Sequence, residues 1–140
     1  MIAPDTTVLV AGFDPDHPFH AEAVPVLVDV KAGGRLVTHT MAEAFSVLSS
    51  PSGPFRFAPQ AVAAYVNQFV ERSDPIPLRT GTYREALDLL GAHNRAGGVV
   101  YDTLIALAAR DANVTLVSFD RRAERTYAAC GVEARMLPGV

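Results

Sequence analysis

Apolar residues come in short bursts along this chain, and most bursts give way to a stretch whose apolar positions recur every three or four residues. Short bursts between turn signals predict buried strands, and the longer period predicts amphipathic helices. Ile2-Ala3-Pro4 predicts a very short strand, followed by a helix from Thr6 to Gly12 with Asp5 as its N-cap. The next helix is predicted from Phe19 to Val30, with Ala23, Val26, Leu27 and Val30 on one face and Pro25 as an internal kink or break. Arg35 to Thr38 predicts a strand, Met41 to Leu48 a helix, Ser49 to Pro54 a loop and Pro59 to Val70 a further helix. Pro75 and Pro77 restrict a strand at Ile76–Leu78 to a sheet edge. The capping-box pattern Thr82-Tyr83-Arg84-Glu85 opens a helix to about His93, and Asn94 to Gly98 is a loop. A helix from Asp102 to Arg110, a strand from Thr115 to Ser118, a helix from Arg121 to Ala129 and a strand from Val132 to Met136 complete the pattern.

Strands that alternate with helices predict an α/β fold, a mainly parallel sheet with helices on both faces. At 140 residues the chain is expected to form one domain over 1–140. Hydrophobic residues make up 49% and charged residues 19%, with no apolar stretch near the roughly 20 residues of a membrane span. That composition predicts a soluble protein, and the first residues carry no export-signal pattern, so a cytoplasmic location is expected. Cys130 is the only cysteine, which excludes an internal disulfide and predicts a small buried residue near a helix end. A net charge of -3 argues against holding nucleic acid by bulk positive charge. A nucleic-acid enzyme remains open, because cations held by carboxylates and a few arginines supply local positive charge.

Candidate chemistry rests on four acids. Asp5, Glu43, Asp102 and Asp120 each stand where an apolar run passes into a helical pattern. In a parallel sheet ligands bind beyond the carboxyl ends of the strands, so residues far apart in sequence converge there. Four neighbouring carboxylates repel one another unless a cation neutralises them, and oxygen ligands suit Mg²⁺ or Mn²⁺. The competing explanation is local. Asp is a favoured N-cap, and Thr40-Met41-Ala42-Glu43 matches a capping box in which Glu43 bonds back to the Thr40 amide.

The wording around these acids carries a resemblance. Asp5-Thr6-Thr7-Val8-Leu9, the Glu43 helix, Asp102-Thr103-Leu104-Ile105-Ala106-Leu107-Ala108-Ala109 and Leu116-Val117-Ser118-Phe119-Asp120 together resemble the PIN-domain ribonucleases, and within them the VapC toxins of bacterial toxin–antitoxin pairs. The likeness spans nearly the whole chain. It implies a PIN-like α/β/α sandwich and makes Asp5, Glu43, Asp102 and Asp120 the acidic cluster for Mg²⁺ or Mn²⁺. Thr7 and Ser118 fall where small polar residues support the acids; Ser118 replaces the commoner threonine and Pro4 a commoner aliphatic residue. It further implies hydrolysis of RNA, a cognate VapB-like antitoxin as partner, and a homodimer.

Other readings stay open at this level. Asp5 as a covalent phosphoryl acceptor is weakened by Thr7, which stands where a second aspartate would be expected. A catalytically inactive PIN-like module that binds RNA or protein is the alternative from the binding class. Arg121 and Arg122, just after the last acid, are candidates to hold RNA phosphates, or else decorate a solvated helix start. His17, His20 and His39 are read as structural or surface residues, and Asp14-Pro15-Asp16 as turn chemistry. Phe55, Phe57, Tyr65 and Phe69 are expected in the core, with a dimer or antitoxin groove as second reading.

Overall fold

In the computed structural model, which describes residues 1–137, strands β1 (Ile2–Pro4), β2 (Arg35–Val37), β3 (Asp74–Ile76), β4 (Thr115–Ser118) and β5 (Ala134–Met136) all pair in parallel. They form a three-stranded sheet in the order β1-β4-β5 and a two-stranded sheet β2-β3, with β1 packed beside β2. The helices are α1 (Thr6–Phe13), α2 (His20–Lys31), α3 (Thr38–Ser49), α4 (Pro59–Arg72), α5 (Thr80–Ala92), α6 (Val99–Asp111) and α7 (Glu124–Cys130).

Alternation along the strands decides which residues meet which helices. Ala3, Val37 and Leu116 point into a core built with Leu104 to Ala109 of α6, Tyr127 and Cys130 of α7, and Ala86 of α5. Their neighbours Leu36 and Val117 point the other way, into a core with Val8 and Leu9 of α1 and Ala23, Val26, Leu27 and Val30 of α2. Both faces of the strands are therefore covered, and this explains why the strands read as continuous apolar bursts. A smaller cluster of Val10, Leu48, Val62 and Val66 ties α1 to α3 and α4.

Several boundaries differ from the sequence expectation for identifiable reasons. α1 runs through Gly12 to Phe13 instead of ending at the glycine. Gly12 serves close packing there, since a Cβ at that position would lie 2.0 Å from Leu27 Cδ1. α2 continues past Pro25, which sits exposed within the helix. The edge strand lies two residues earlier than expected, because pairing to β2 matches Leu36 with Pro75; an edge position tolerates a residue without an amide hydrogen. α5 begins at Thr80, and Thr82 is its third residue, its hydroxyl accepting from the Arg79 amide at 3.4 Å. α7 starts three residues later than expected, and β5 is confined to Ala134–Met136.

Candidate active site

Asp5 directly follows β1, and its amide extends the ladder by donating to the Val117 carbonyl at 2.9 Å. The carboxylate is 3% exposed and held by several donors. Oδ1 accepts from the Thr7 amide at 3.0 Å and from the Thr7 hydroxyl, and Oδ2 accepts from the Tyr127 hydroxyl at 2.7 Å. Burial raises its pKa, while the hydroxyls of Ser118, Thr7 and Tyr127 and the Thr7 amide oppose that shift. Asp5 also caps α1, so capping and the site reading coexist in one carboxylate.

Thr7 is a connector. Its hydroxyl donates to Asp5 and accepts from the Phe119 amide at 3.0 Å, joining the end of β1 to the segment after β4. Ser118 is fully buried and accepts from the Asp120 amide at 2.9 Å. Asp120 turns Oδ1 to the Arg122 amide at 2.9 Å, a local turn that delays α7 until Glu124.

The capping box that offered a competing local explanation for Glu43 does not form. α3 follows β2 without a gap, so Thr40 lies inside the helix with a buried hydroxyl that has no partner among the described residues. Glu43 instead accepts from the hydroxyl of Thr6, thirty-seven residues away in sequence. Asp102 is likewise not a cap, since α6 begins at Val99 and places it at the end of the first turn. Its carboxyl pKa is pushed up to about 6, first by burial and then by the charges of Glu43, Asp5 and Asp120. Asp102 thus lies within electrostatic reach of Asp5, Glu43 and Asp120, which come from the segments that follow β1, β2 and β4.

The donor set is all oxygen and strongly negative, which suits a hard divalent cation. The carboxylates are spread rather than gathered, however: among the described residues no three acidic, histidine or cysteine side chains sit at a spacing that would share one ion. Each of Asp5, Glu43 and Asp120 is held by its own hydrogen bond.

Tyr127 and Thr6 escaped the sequence reading. Tyr127 is 1% exposed, and burial together with the Asp5 charge pushes its hydroxyl far above the usual phenol range, so it remains a donor to Asp5. The signal for it was faint: a large polar-tipped residue on the apolar face of a helix needs a buried partner. Arg122 extends into solvent, 97% exposed, with Nε 3.6 Å from Asp120. Arg121 is exposed too, and neither arginine belongs to α7. His20 contacts the Ala11 carbonyl at 2.9 Å, and His17 accepts from the Phe19 amide at 3.1 Å. His39 stacks on Tyr101. The Asp16 amide bonds Asp14 at 3.0 Å, as turn chemistry requires. Phe69 is fully buried and Tyr65 donates to the Leu9 carbonyl at 2.6 Å, while Phe55 and Phe57 are half-buried.

Comparison with known proteins assigns this arrangement of α/β layers and edge acids to a family. The family model described as PIN domain matches residues 2–129, so the chain belongs to the PIN-domain family. It is 39% identical over 137 residues to Ribonuclease VapC40 of Mycobacterium tuberculosis, covering 98% of this chain and 99% of that protein. Among solved structures it superposes on M. tuberculosis VapC20, described as a sarcin-ricin loop cleaving toxin, with a TM-score of 0.71 at 15% identity, covering 90% and 95% of the two chains. VapBC2 from Rickettsia felis, bound to a DNA fragment from its promoter, gives a TM-score of 0.67 at 18% identity, covering 99% and 100%. These two structures support the fold.

Proposed function

We propose that the protein is the endoribonuclease toxin of a toxin–antitoxin pair, that it hydrolyses RNA phosphodiester bonds with Mg²⁺ or Mn²⁺, and that a VapB-like antitoxin silences it. The observation that carries the reading is that Asp102 lies within electrostatic reach of Glu43, Asp5 and Asp120, acids from three other segments, while among the described residues the exposed Arg122 is the one cation paired to any of them. Near full-length similarity to a VapC ribonuclease supports the substrate class, and the VapBC2 complex supports the kind of partner. No helix among the described residues is long and apolar enough to cross a membrane.

Asp5, Glu43, Asp102 and Asp120 would hold the metal, and their carboxylates would have to draw together to share it, since no three of them among the described residues stand at that spacing. A divalent ion held there would supply Lewis-acid activation of water and charge stabilisation for the departing oxygen. The protein's own contribution is positioning. Thr7 and Tyr127 fix both oxygens of Asp5, Thr6 fixes Glu43, and Ser118 anchors the turn that carries Asp120. In the metal-free protein Asp102 holds its proton more readily than an ordinary aspartate, so a cation must displace that proton to bind there, and metal binding is expected to weaken as pH falls. Arg121 and Arg122 steady the phosphates on either side of the cut. A homodimer, expected from the family resemblance, belongs to the same reading and is checked by light scattering.

The decisive experiment is substitution. Asp102→Asn and Asp5→Asn should each abolish RNA cleavage and growth inhibition while circular dichroism remains that of the parent. If both variants cut RNA as well as the parent, the reading is wrong.

A further inference from the structure

A cavity of about 350 Å³ opens beside the acids, lined by Thr6, Thr7, Phe19, Phe55, Phe119 and Arg122 among others. Its walls are aromatic and its floor belongs to the acidic site. Phe19 and Phe119 stack with ring centroids 4.7 Å apart, and His17 stacks against Phe55 at 6.3 Å across the mouth. Thr6 and Thr7 form the floor, and their hydroxyls are the ones committed to Glu43 and Asp5. Asp120 and Arg122 form the rim.

Phe19, Phe55 and Phe119 each pack on one side against the core, yet all stay partly exposed and so leave ring surface open to the cavity. Flat rings that line a small opening beside a charged site are what an unstacked nucleobase requires, because every base offers a π-face and single-stranded RNA is read by stacking of splayed bases. The guanidinium at the rim supplies the matching contact for a phosphate. An apolar peptide side chain would also suit the walls. It would give no use to the continuity between the floor and the acids, nor to the cation at the rim.

We propose that this cavity receives one unpaired nucleobase of the RNA, next to the phosphodiester presented to Asp5, Glu43, Asp102 and Asp120, with Arg122 on the adjoining phosphate. The inference rests on the ribonuclease reading and deepens it by assigning the aromatic walls as the subsite for the base beside the cut. Phe119 and Phe55 then act as binding residues that select the nucleotide beside the cut.

The test is an NMR titration of the full chain with each of the four ribonucleoside 5′-monophosphates, with ribose 5-phosphate as the probe that lacks a base. The nucleotides should shift the ring resonances of Phe19, Phe55 and Phe119, with upfield shifts of their own base protons. Ribose 5-phosphate should perturb the Arg122 region alone. Phe119→Leu, which keeps apolar volume, should weaken nucleotide binding by roughly 5- to 150-fold, the loss of one stacked base. His17→Ala, at the half-exposed mouth, gives a second reading should Phe119→Leu fail to fold. Equal binding of ribose 5-phosphate and the nucleotides, or rings that do not respond, overturns the proposal. So does a result in which the variants bind nucleotides like the parent yet lose the antitoxin, which would assign the cavity to the protein partner. Because binding is read without turnover, a protein that cuts RNA with no base-dependent binding sinks this inference alone. One that binds nucleotides here but cuts nothing sinks the nuclease reading instead.

Discussion

Toward the C-terminal end of α6, Arg110 is met by two carboxylates; eight residues earlier, about 12 Å along the same helix, Asp102 is met by three. The Arg110 guanidinium donates Nη1 and Nη2 to Glu85 at 2.7 and 2.8 Å and adds Asp111 at 2.8 Å. That arrangement lowers the Glu85 pKa and raises that of Arg110, so each charge stabilises the other. Asp102 faces Glu43, Asp5 and Asp120, and its own charge is disfavoured. Side chains at one end satisfy one another, and at the other they leave charge uncompensated, which is costly for folding and useful only if something outside the chain is to be bound.

The largest effect that would sharpen this contrast comes from Tyr127, which supports the strained end from beneath. Tyr127→Phe keeps the packing of a fully buried ring and removes the donor to Asp5 Oδ2. The expected cost is about 1.5–3 kcal/mol at pH 8, the usual worth of a hydrogen bond to a charged group. It should shrink in acid, where Asp5 is protonated and needs less support. Urea unfolding at pH 8 and pH 4 measures both values. A cost that does not change with pH would mean that the hydroxyl is not serving the carboxylate.

How far such a site is legible in sequence depends on whether its interactions are local. Asp5 and Asp120 stand out because they follow apolar strands, and the alternation that reveals the strands also reveals which edge they share. The parallel α/β architecture follows from that alternation and is borne out by every pairing. Glu43 misleads because Thr40-Met41-Ala42-Glu43 has a complete local explanation, yet the helix starts two residues before Thr40 and the real partner is Thr6. The four-residue pattern is indifferent to where β2 ends. Tyr127 was invisible for the converse reason: its one polar contact reaches a residue 122 positions away. The aromatic cavity also escaped, since Phe19, Phe55 and Phe119 come from three loops or helix ends that only the fold brings together.

A second, smaller effect concerns Asp102 itself. Its folded pKa lies near 6, above the 3.8 of an ordinary aspartate, so between those values the folded state binds more protons than the unfolded one. Stability attributable to this group is therefore highest in acid and falls as pH rises through 6. Asp5, whose pKa is also raised, contributes in the same direction. Asp102→Asn removes the penalty and should stabilise the metal-free protein at pH 8 by about 1–2 kcal/mol, after allowance for solvent screening of a partly exposed group. At pH 4 the gain should vanish. Added Mg²⁺ or Mn²⁺ should raise the stability of the parent by mass action and do much less for the variant. A variant less stable than the parent at pH 8 without metal would show that the carboxylates do not repel.

The smallest effect belongs to the balanced end. Arg110 and Glu85 are 32% and 43% exposed at their side chains, so their attraction is screened by water and salt however good the bidentate geometry. Arg110→Gln should cost at most about 1 kcal/mol, and the cost should fall in 1 M salt. In the Glu85→Gln background most of it should already be gone, because a double-mutant cycle isolates the pair. RNA cleavage should be unaffected at saturating metal, since Arg110 lies at the far end of α6 from Asp102. Loss of activity without loss of stability would show that the two ends communicate through the helix, and the division between a stabilising end and a binding end would then have to be abandoned.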